Sequence, residues 1–276
     1  MQNFCFFNGK IVKEDEAKIS LRDIGLLRGY GIFESLKTYA GKPFLLKKHY
    51  ERLKKSAKEL NINIPISERK LSNVINQLIA KNHLNEASIK IVLTGGVSSG
   101  GLKFNSNSPT FFVLTEKLHG LSNNIYNNGV KLITQKFLRS LPEIKSTNYL
   151  EAISKKQQLK KEGAFEFLFI NNDEVLESST GNFFMFLKNE LVTPRENILH
   201  GVTRDFVLKI ASKKFKIKER KISKKELFLA NECFITGSHK EIVPVVQIDN
   251  KKINDDKVGP KTKILVKEFR QAVKTI

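Results

Sequence analysis

Four short apolar stretches, at residues 165–170, 175–177, 183–187 and 191–193, follow one another in fewer than thirty positions. Each is rich in Phe, Leu, Ile or Val and too short for an ordinary helix. Asn171-Asn172-Asp173 and Lys188-Asn189 punctuate them, and these residues tolerate the positive φ of tight turns. The run predicts successive strands, so the second half of the chain must bury a sheet face in a strand-rich core.

The segments ahead of that run alternate in type. Residues 4–7 and 10–12 read as two short strands around Asn8-Gly9, and 32–39 as a strand ended by Ala40-Gly41-Lys42-Pro43. Residues 44–46 lead into a helix in which Tyr50, Leu53, Ala57 and Leu60 form one stripe at three- and four-residue spacing. Residues 71–80 repeat the pattern with Leu71, Val74, Ile75, Leu78 and Ile79. Residues 87–93 and 110–114 are β-branched runs separated by Gly95, Gly96, Gly100 and Gly101, and read as paired strands. The chain turns polar over 116–129, with Asn123, Asn124, Asn127 and Asn128. Beyond it come a strand at 130–134, helical composition at 148–162, a helix at 205–215, strands at 232–236 and 243–248, and a closing helix at 261–273. The expectation is an α+β protein in two domains: a smaller N-terminal α/β domain over 1–118, a linker over 119–129, and a larger, strand-rich C-terminal domain over 130–276.

Composition narrows the function. With 40% hydrophobic residues and 20 Phe in 276, the chain has apolar surface for a packed core and is not a disordered polymer. The 48 Lys+Arg against 28 Asp+Glu give a formal charge of +20, which invites a nucleic-acid partner. Nine of the basic residues are Arg, whereas phosphate and base recognition favours the Arg fork. Lys is enriched together with Ile, Asn and Phe, as coding bias produces, and Lys155, Lys156, Lys160, Lys161 and the lysines of 213–225 read as solvated helix or loop faces. No specific nucleic acid is therefore expected. Cys5 and Cys233 stand far apart, and the five His form no i, i+4 pair, so no metal site is expected. No apolar run reaches the ~18–20 residues of a membrane helix, and residues 1–12 lack a leader pattern; the expectation is a cytoplasmic protein without a membrane partner.

Familiar catalytic motifs are scarce. There is no G-x-S-x-G elbow, the glycines at 95–101 lack the Gly-Lys-Ser/Thr ending of a phosphate loop, and Gly29 and Gly31 have no glycine at 34. Three places carry chemistry instead. Arg52 shares a helix face with His49 and Ser56, either in a cleft or ion-paired. Gly201-Val202-Thr203-Arg204 precedes the helix expected at Asp205, as an anion site or as an N-cap by Thr203. Lys145 lies before a helix and Glu177 at a strand end, and composition singles out neither.

Taken in order, residues 25–39, 49–62, 144–150, 166–186, 191–194, 199–208, 227–248 and Gly259-Pro260 resemble the fold-type IV pyridoxal-phosphate (PLP) enzymes, the class IV aminotransferases. That family includes branched-chain and D-amino-acid aminotransferases and aminodeoxychorismate lyases. The resemblance implies that Lys145 forms the Schiff base with the PLP aldehyde and that Glu177 contacts the pyridine nitrogen. It implies that Arg52, the backbone of Val202 and Thr203, the Thr203 hydroxyl and Ser238 hold the phosphate. Tyr149 would bond the ring hydroxyl oxygen and Leu199 would pack on the ring face. Arg28, Phe33, Ser238 and His239 would face an amino-acid or keto-acid substrate.

Two departures bear on the substrate. Arg28 and Tyr30 stand in a loop where many members begin with an aromatic residue. Gly95 stands where D-amino-acid members often carry an arginine, while Tyr149 is similar to the branched-chain branch. The resemblance thus implies transamination of a branched-chain or other apolar L-amino acid with 2-oxoglutarate, in a homodimer. The alternatives are an aminodeoxychorismate lyase releasing pyruvate and 4-aminobenzoate, and a D-amino-acid aminotransferase.

Overall fold

Asn8 and Gly9 take φ values of 43° and 97°, the backbone a two-residue hairpin requires, and so join β1 (Phe4–Phe7) to β2 (Lys10–Lys13). The structure, a computed structural model, describes residues 3–275. These fall into two units: residues up to His119 together with Ile144–Asn148, and Gly120–Glu143 together with Tyr149 onward.

In the first unit, α1 (Ile24–Arg28) leads into β3 (Gly31–Tyr39), followed by β4 (Lys42–Pro43), α2 (Leu46–Glu59), α3 (Glu68–Lys81), β5 (Ala87–Thr94) and β6 (Thr110–Lys117). The strands form one antiparallel sheet in the order β2-β1-β6-β5-β3-β4. The apolar stripes of the two helices supply Leu53, Ala57, Leu71, Val74, Ile75 and Leu78 to a core shared with Ile32, Leu36, Ile89 and Ile91 of the sheet. Ser67 caps α3 through the Lys70 N–H, as a serine before a helix should.

The second unit begins with α4 (Asn123–Asn128), so the polar stretch expected as a linker contains a helix whose Ile125 and Tyr126 pack on this unit's core. There follow β7 (Val130–Lys136), α5 (Leu150–Ser154), α6 (Lys156–Lys161), β8 (Glu166–Asn171), β9 (Glu174–Ser178), β10 (Gly181–Leu187), β11 (Glu190–Thr193), α7 (Val202–Ala211), β12 (Lys216–Glu219), α8 (Lys224–Leu227), β13 (Glu232–Gly237), β14 (Glu241–Ile248), β15 (Lys251–Lys252) and α9 (Pro260–Ala272). The sheet runs β12-β11-β10-β13-β14-β7-β8-β9, and a further pairing of β9 with β10 closes six of its strands into a ring. Side chains alternate across the strands. Phe183, Met185, Cys233, Ile235, Val243 and Val245 share one core. Phe184 and Phe234 stack on the opposite face with centroids 4.8 Å apart. Helices α7 and α9 meet through an edge-on Phe206–Phe269 pair.

Three local expectations need correction. The helical stretch at 148–162 is two short helices separated at Lys155, whose ψ is 10°. Helix α7 starts at Val202 and not at Asp205, so Thr203 lies inside it and Gly201 is the N-cap. Within the lysine-rich 213–225 segment, residues 216–219 form a strand paired in parallel with β11.

Candidate active site

The first unit gathers charge around Glu34. On β3, Ile32, Glu34 and Leu36 alternate onto the buried face, so the carboxylate must be neutralised where it stands. Helix α2 does this with two residues three apart. Arg52 donates from Nε to Glu34 Oε1 at 2.8 Å and from Nη2 to Oε2 at 2.7 Å, a two-pronged fork. His49 Nδ1 lies 2.6 Å from Oε2. Burial alone would raise the Glu34 carboxyl, but Arg52 first and His49 second hold it at about 2. Burial lowers His49 below its usual 6.5, against the pull of Glu34 and helped by the charges of Arg52 and Lys145. The neutral imidazole then donates its Nδ1–H to Glu34. Arg52 is ion-paired, one of the two readings open from sequence, and the fork sets the plane of its guanidinium.

Lys145 belongs to this unit, although residue order places it in the C-terminal domain. Ile144 is buried in the first core. The Phe33 N–H donates to the Lys145 carbonyl at 3.0 Å, the Thr147 N–H donates to Gly31 at 2.9 Å, and Ser146 bridges to Ile32. Residues 144–147 thus run antiparallel along the start of β3. The Lys145 Nζ stands 4.5 Å from the centroid of the Phe33 ring, a favourable place for a cation. Arg28 ends α1, exposed, and donates to Leu27 O at 2.9 Å. Tyr30 packs on Phe104 and spends its hydroxyl on Leu60 O at 2.6 Å.

The second unit builds a separate constellation on the edge-to-edge pairing of β9 and β10. Cross-strand register places Glu177 opposite Asn182 and Asn182 opposite Thr236, so the three form a row on one face. Arg139 reaches Glu177 Oε1 from Nε at 2.9 Å and Nη2 at 2.7 Å, and the Leu199 N–H donates to Oε2 at 3.1 Å. Asn182 Nδ2 donates to the Leu199 carbonyl at 2.6 Å. A Cβ at residue 201 would lie 2.2 Å from Asn182 Oδ1, so any larger residue would have to displace that side chain. Helix α7 then starts with Val202 and Thr203 buried and no side chain capping its N-terminus. Its first-turn N–H groups have no intrahelical acceptor, and the helix dipole favours an anion there. Arg204, fully buried, is structural: its Nη2 donates to Pro194 O at 2.9 Å and Glu219 at 2.7 Å. Ser238 and His239 lie half-buried in the turn between β13 and β14, and Tyr149 is the N-cap of α5.

These groups fit PLP by chemistry. An uncapped helix start with a threonine hydroxyl suits a phosphate, a buried carboxylate suits a protonated ring nitrogen, and a lysine amine suits an aldehyde. One observation adds weight: the buried Thr236 hydroxyl, in the row with Glu177 and Asn182, has no hydrogen-bond partner among the described residues. Sequence reasoning missed Glu34, Arg139 and Asn182. The Glu34 signal was present as an acid in alternation with Ile32 and Leu36 on one strand face; Arg139 and Asn182 had none. Among the described residues no three His, Cys, Asp or Glu are grouped to hold a metal, and no helix is long and apolar enough to cross a membrane.

A lysine, a buried acid and an uncapped helix start are the groups whose chemistry a PLP enzyme draws on. The sequence pattern of the amino-transferase class IV family matches residues 31–248, and the chain belongs to that family of PLP-dependent enzymes. It is similar to the "Putative branched-chain-amino-acid aminotransferase" of Methanocaldococcus jannaschii, 37% identical over 96% of this chain and 94% of that one. It is also similar to the D-alanine aminotransferase of Staphylococcus aureus strain N315, 31% identical over 98% of each. Among solved structures, the branched-chain amino acid aminotransferase of "T.th." with pyridoxamine 5'-phosphate superposes with a TM-score of 0.91 at 27% identity, covering 99% of this chain and 94% of that one.

Proposed function

We propose that the enzyme moves the amino group of a branched-chain or other apolar L-amino acid to 2-oxoglutarate. The observation that carries the substrate class is the 37% identity to the M. jannaschii protein, above the 31% to the D-alanine enzyme.

The residue roles in this proposal are those the family resemblance implies. Arg52, held in plane by Glu34, joins the Val202 and Thr203 amides, the Thr203 hydroxyl and Ser238 in holding the PLP phosphate. Glu177 keeps the ring nitrogen protonated. Arg139 and the Leu199 N–H orient that carboxylate, and the Leu199 side chain covers a ring face. Tyr149 bonds the ring hydroxyl oxygen. PLP, when bound, supplies an electron sink for the pair released as the Cα–H bond breaks. Lys145 Nζ must be neutral to hold the aldehyde carbon, and the same nitrogen then carries the proton removed from Cα. Arg28, Phe33, Ser238 and His239 face the substrate. A cytoplasmic homodimer completes the proposal, and the exposed Ile19, Leu21, Leu26 and Leu27 offer an apolar surface for a second copy.

The test is a panel of amino donors in both enantiomers, with 2-oxoglutarate as acceptor, read by keto-acid formation and by the absorbance of bound PLP. L-leucine, L-isoleucine and L-valine are the expected donors, and Lys145→Ala is expected to lose at least about a thousandfold in kcat. Turnover of D-amino acids alone, or pyruvate release with no acceptor present, overturns the reading.

A further inference from the structure

The turn between β13 and β14, which carries Ser238 and His239, is held on three sides. It closes on Glu241 at φ 59°, a left-handed backbone that is strained for a non-glycine residue and persists only where the surroundings enforce it. The Glu241 carboxylate accepts from Arg270 Nε at 3.1 Å. The Tyr126 hydroxyl donates to the Lys240 carbonyl at 3.2 Å, and the Arg270 guanidinium lies 4.4 Å from the Tyr126 ring.

The third hold is the Lys240 side chain. It is buried, and its stem crosses Gly237, where a Cβ would stand 3.0 Å from Cε. Its ammonium contacts Glu166 Oε1 directly and donates to Thr180 Oγ1 at 2.7 Å. Thr180 in turn donates to Glu166 from its hydroxyl at 2.7 Å and from its N–H at 3.1 Å. The cluster joins three segments: the start of β8, the turn between β9 and β10, and the turn between β13 and β14. The second of these directly follows Glu177.

A buried ion pair is an inefficient way to gain stability, because desolvation of both charges offsets their attraction and packed apolar side chains serve as well. What this pair supplies is position: a charged tip on a long stem, held by both Glu166 and Thr180, admits little slack in the turn from which it springs. The geometry points to Lys240 as a positioning residue, whose ion pair with Glu166, bridged by Thr180, sets the 237–241 turn and with it the placement of Ser238 and His239 against the substrate. The inference rests on the proposed placement of Ser238 and His239 against cofactor and substrate.

The test is steady-state kinetics on PLP-loaded enzyme. The double variant Glu166→Gln/Lys240→Met removes both charges and leaves neither stranded. It is expected to keep bound-PLP absorbance and, to within about threefold, kcat, while KM for both the amino donor and the keto acid rises about tenfold. Thr180→Val, which keeps both charges and the side-chain shape, is expected to raise both KM values about threefold. Lys240→Arg, which keeps the cation, is expected to stay within about twofold of the parent. An unchanged KM in the folded, PLP-loaded double variant overturns the inference, as does an unchanged KM in Thr180→Val. A parent with neither PLP absorbance nor transamination removes the functional reading and the inference with it, an outcome distinct from an active parent whose KM ignores the substitutions.

Discussion

Two buried glutamates, Glu34 of the first unit and Glu166 of the second, are neutralised by different kinds of cation. In the first, Glu34 receives a two-pronged Arg52 fork and His49 from a single helix face. In the second, Glu166 receives the Lys240 ammonium and Thr180, from turns 74 and 14 residues away in sequence. Burial alone would raise both carboxyls, and in both the partner cation holds them below the ordinary value. The fork is planar, so it orients the arginine as much as it neutralises the acid; the ammonium is a point charge on a long stem, so it ties segments together. One cluster aims a side chain, and the other holds a backbone.

The largest effect that would break this contrast is Glu34→Leu. It leaves the Arg52 cation without its buried partner, with an expected loss of about 3–5 kcal/mol in urea unfolding. Adding Arg52→Met should restore most of that stability while PLP affinity stays low. If the double variant is no more stable than the single one, the fork is not what the cation needs.

Acid titration of stability comes next. Glu34 has its folded pKa lowered from 4.5 to about 2. Its contribution is therefore complete above pH 4.5 and lost as pH falls towards 2, about 3 kcal/mol in all. His49 is also lowered, so the unfolded chain takes up its proton first and stability should already decline as pH falls through 6.5. His49→Gln should flatten that first decline and leave the second. Equal declines in both would merge the two groups into one titration and break the assignment.

A neutral lock should matter less than a charged one. Gly201→Ala, at a permitted φ of −73°, drives a methyl against Asn182 and should cost about 1–3 kcal/mol, with weaker PLP binding by fluorescence titration. Smallest of all is the exposed Lys216–Glu190 pair, at 2.7 Å in solvent. Lys216→Ala should leave the urea midpoint unchanged, since exposed pairs contribute little; a clear shift would mean that exposure does not set what these ion pairs contribute.

What could be read in advance follows the range of the interactions. Helices α2 and α3 announce themselves through stripes at three- and four-residue spacing, and the first hairpin through Asn8-Gly9. The charge cluster of the first unit was half readable, because His49 and Arg52 lie one turn apart. The start of α7 was not: Gly201 is an N-cap without a side chain, so no Ser, Thr or Asp marked the boundary. Nor was the attachment of Lys145 to the first unit, which depends on Ile144 entering a core built by residues far away in sequence. Glu166 with Lys240 and Glu177 with Arg139 are pairs of ordinary charges in a chain crowded with lysine, and only the ring of strands brings them together.

Outside that ring lies an open strand. Strand β12 terminates the sheet of the second unit, with its outer row of amides and carbonyls unused by any neighbouring strand among the described residues. Such an edge invites pairing with other chains. Here Lys216 and Lys218 flank Ile217 along it, and lysines on an edge strand discourage such pairing. Part of the lysine surplus that first suggests a nucleic-acid partner thereby guards this edge against aggregation.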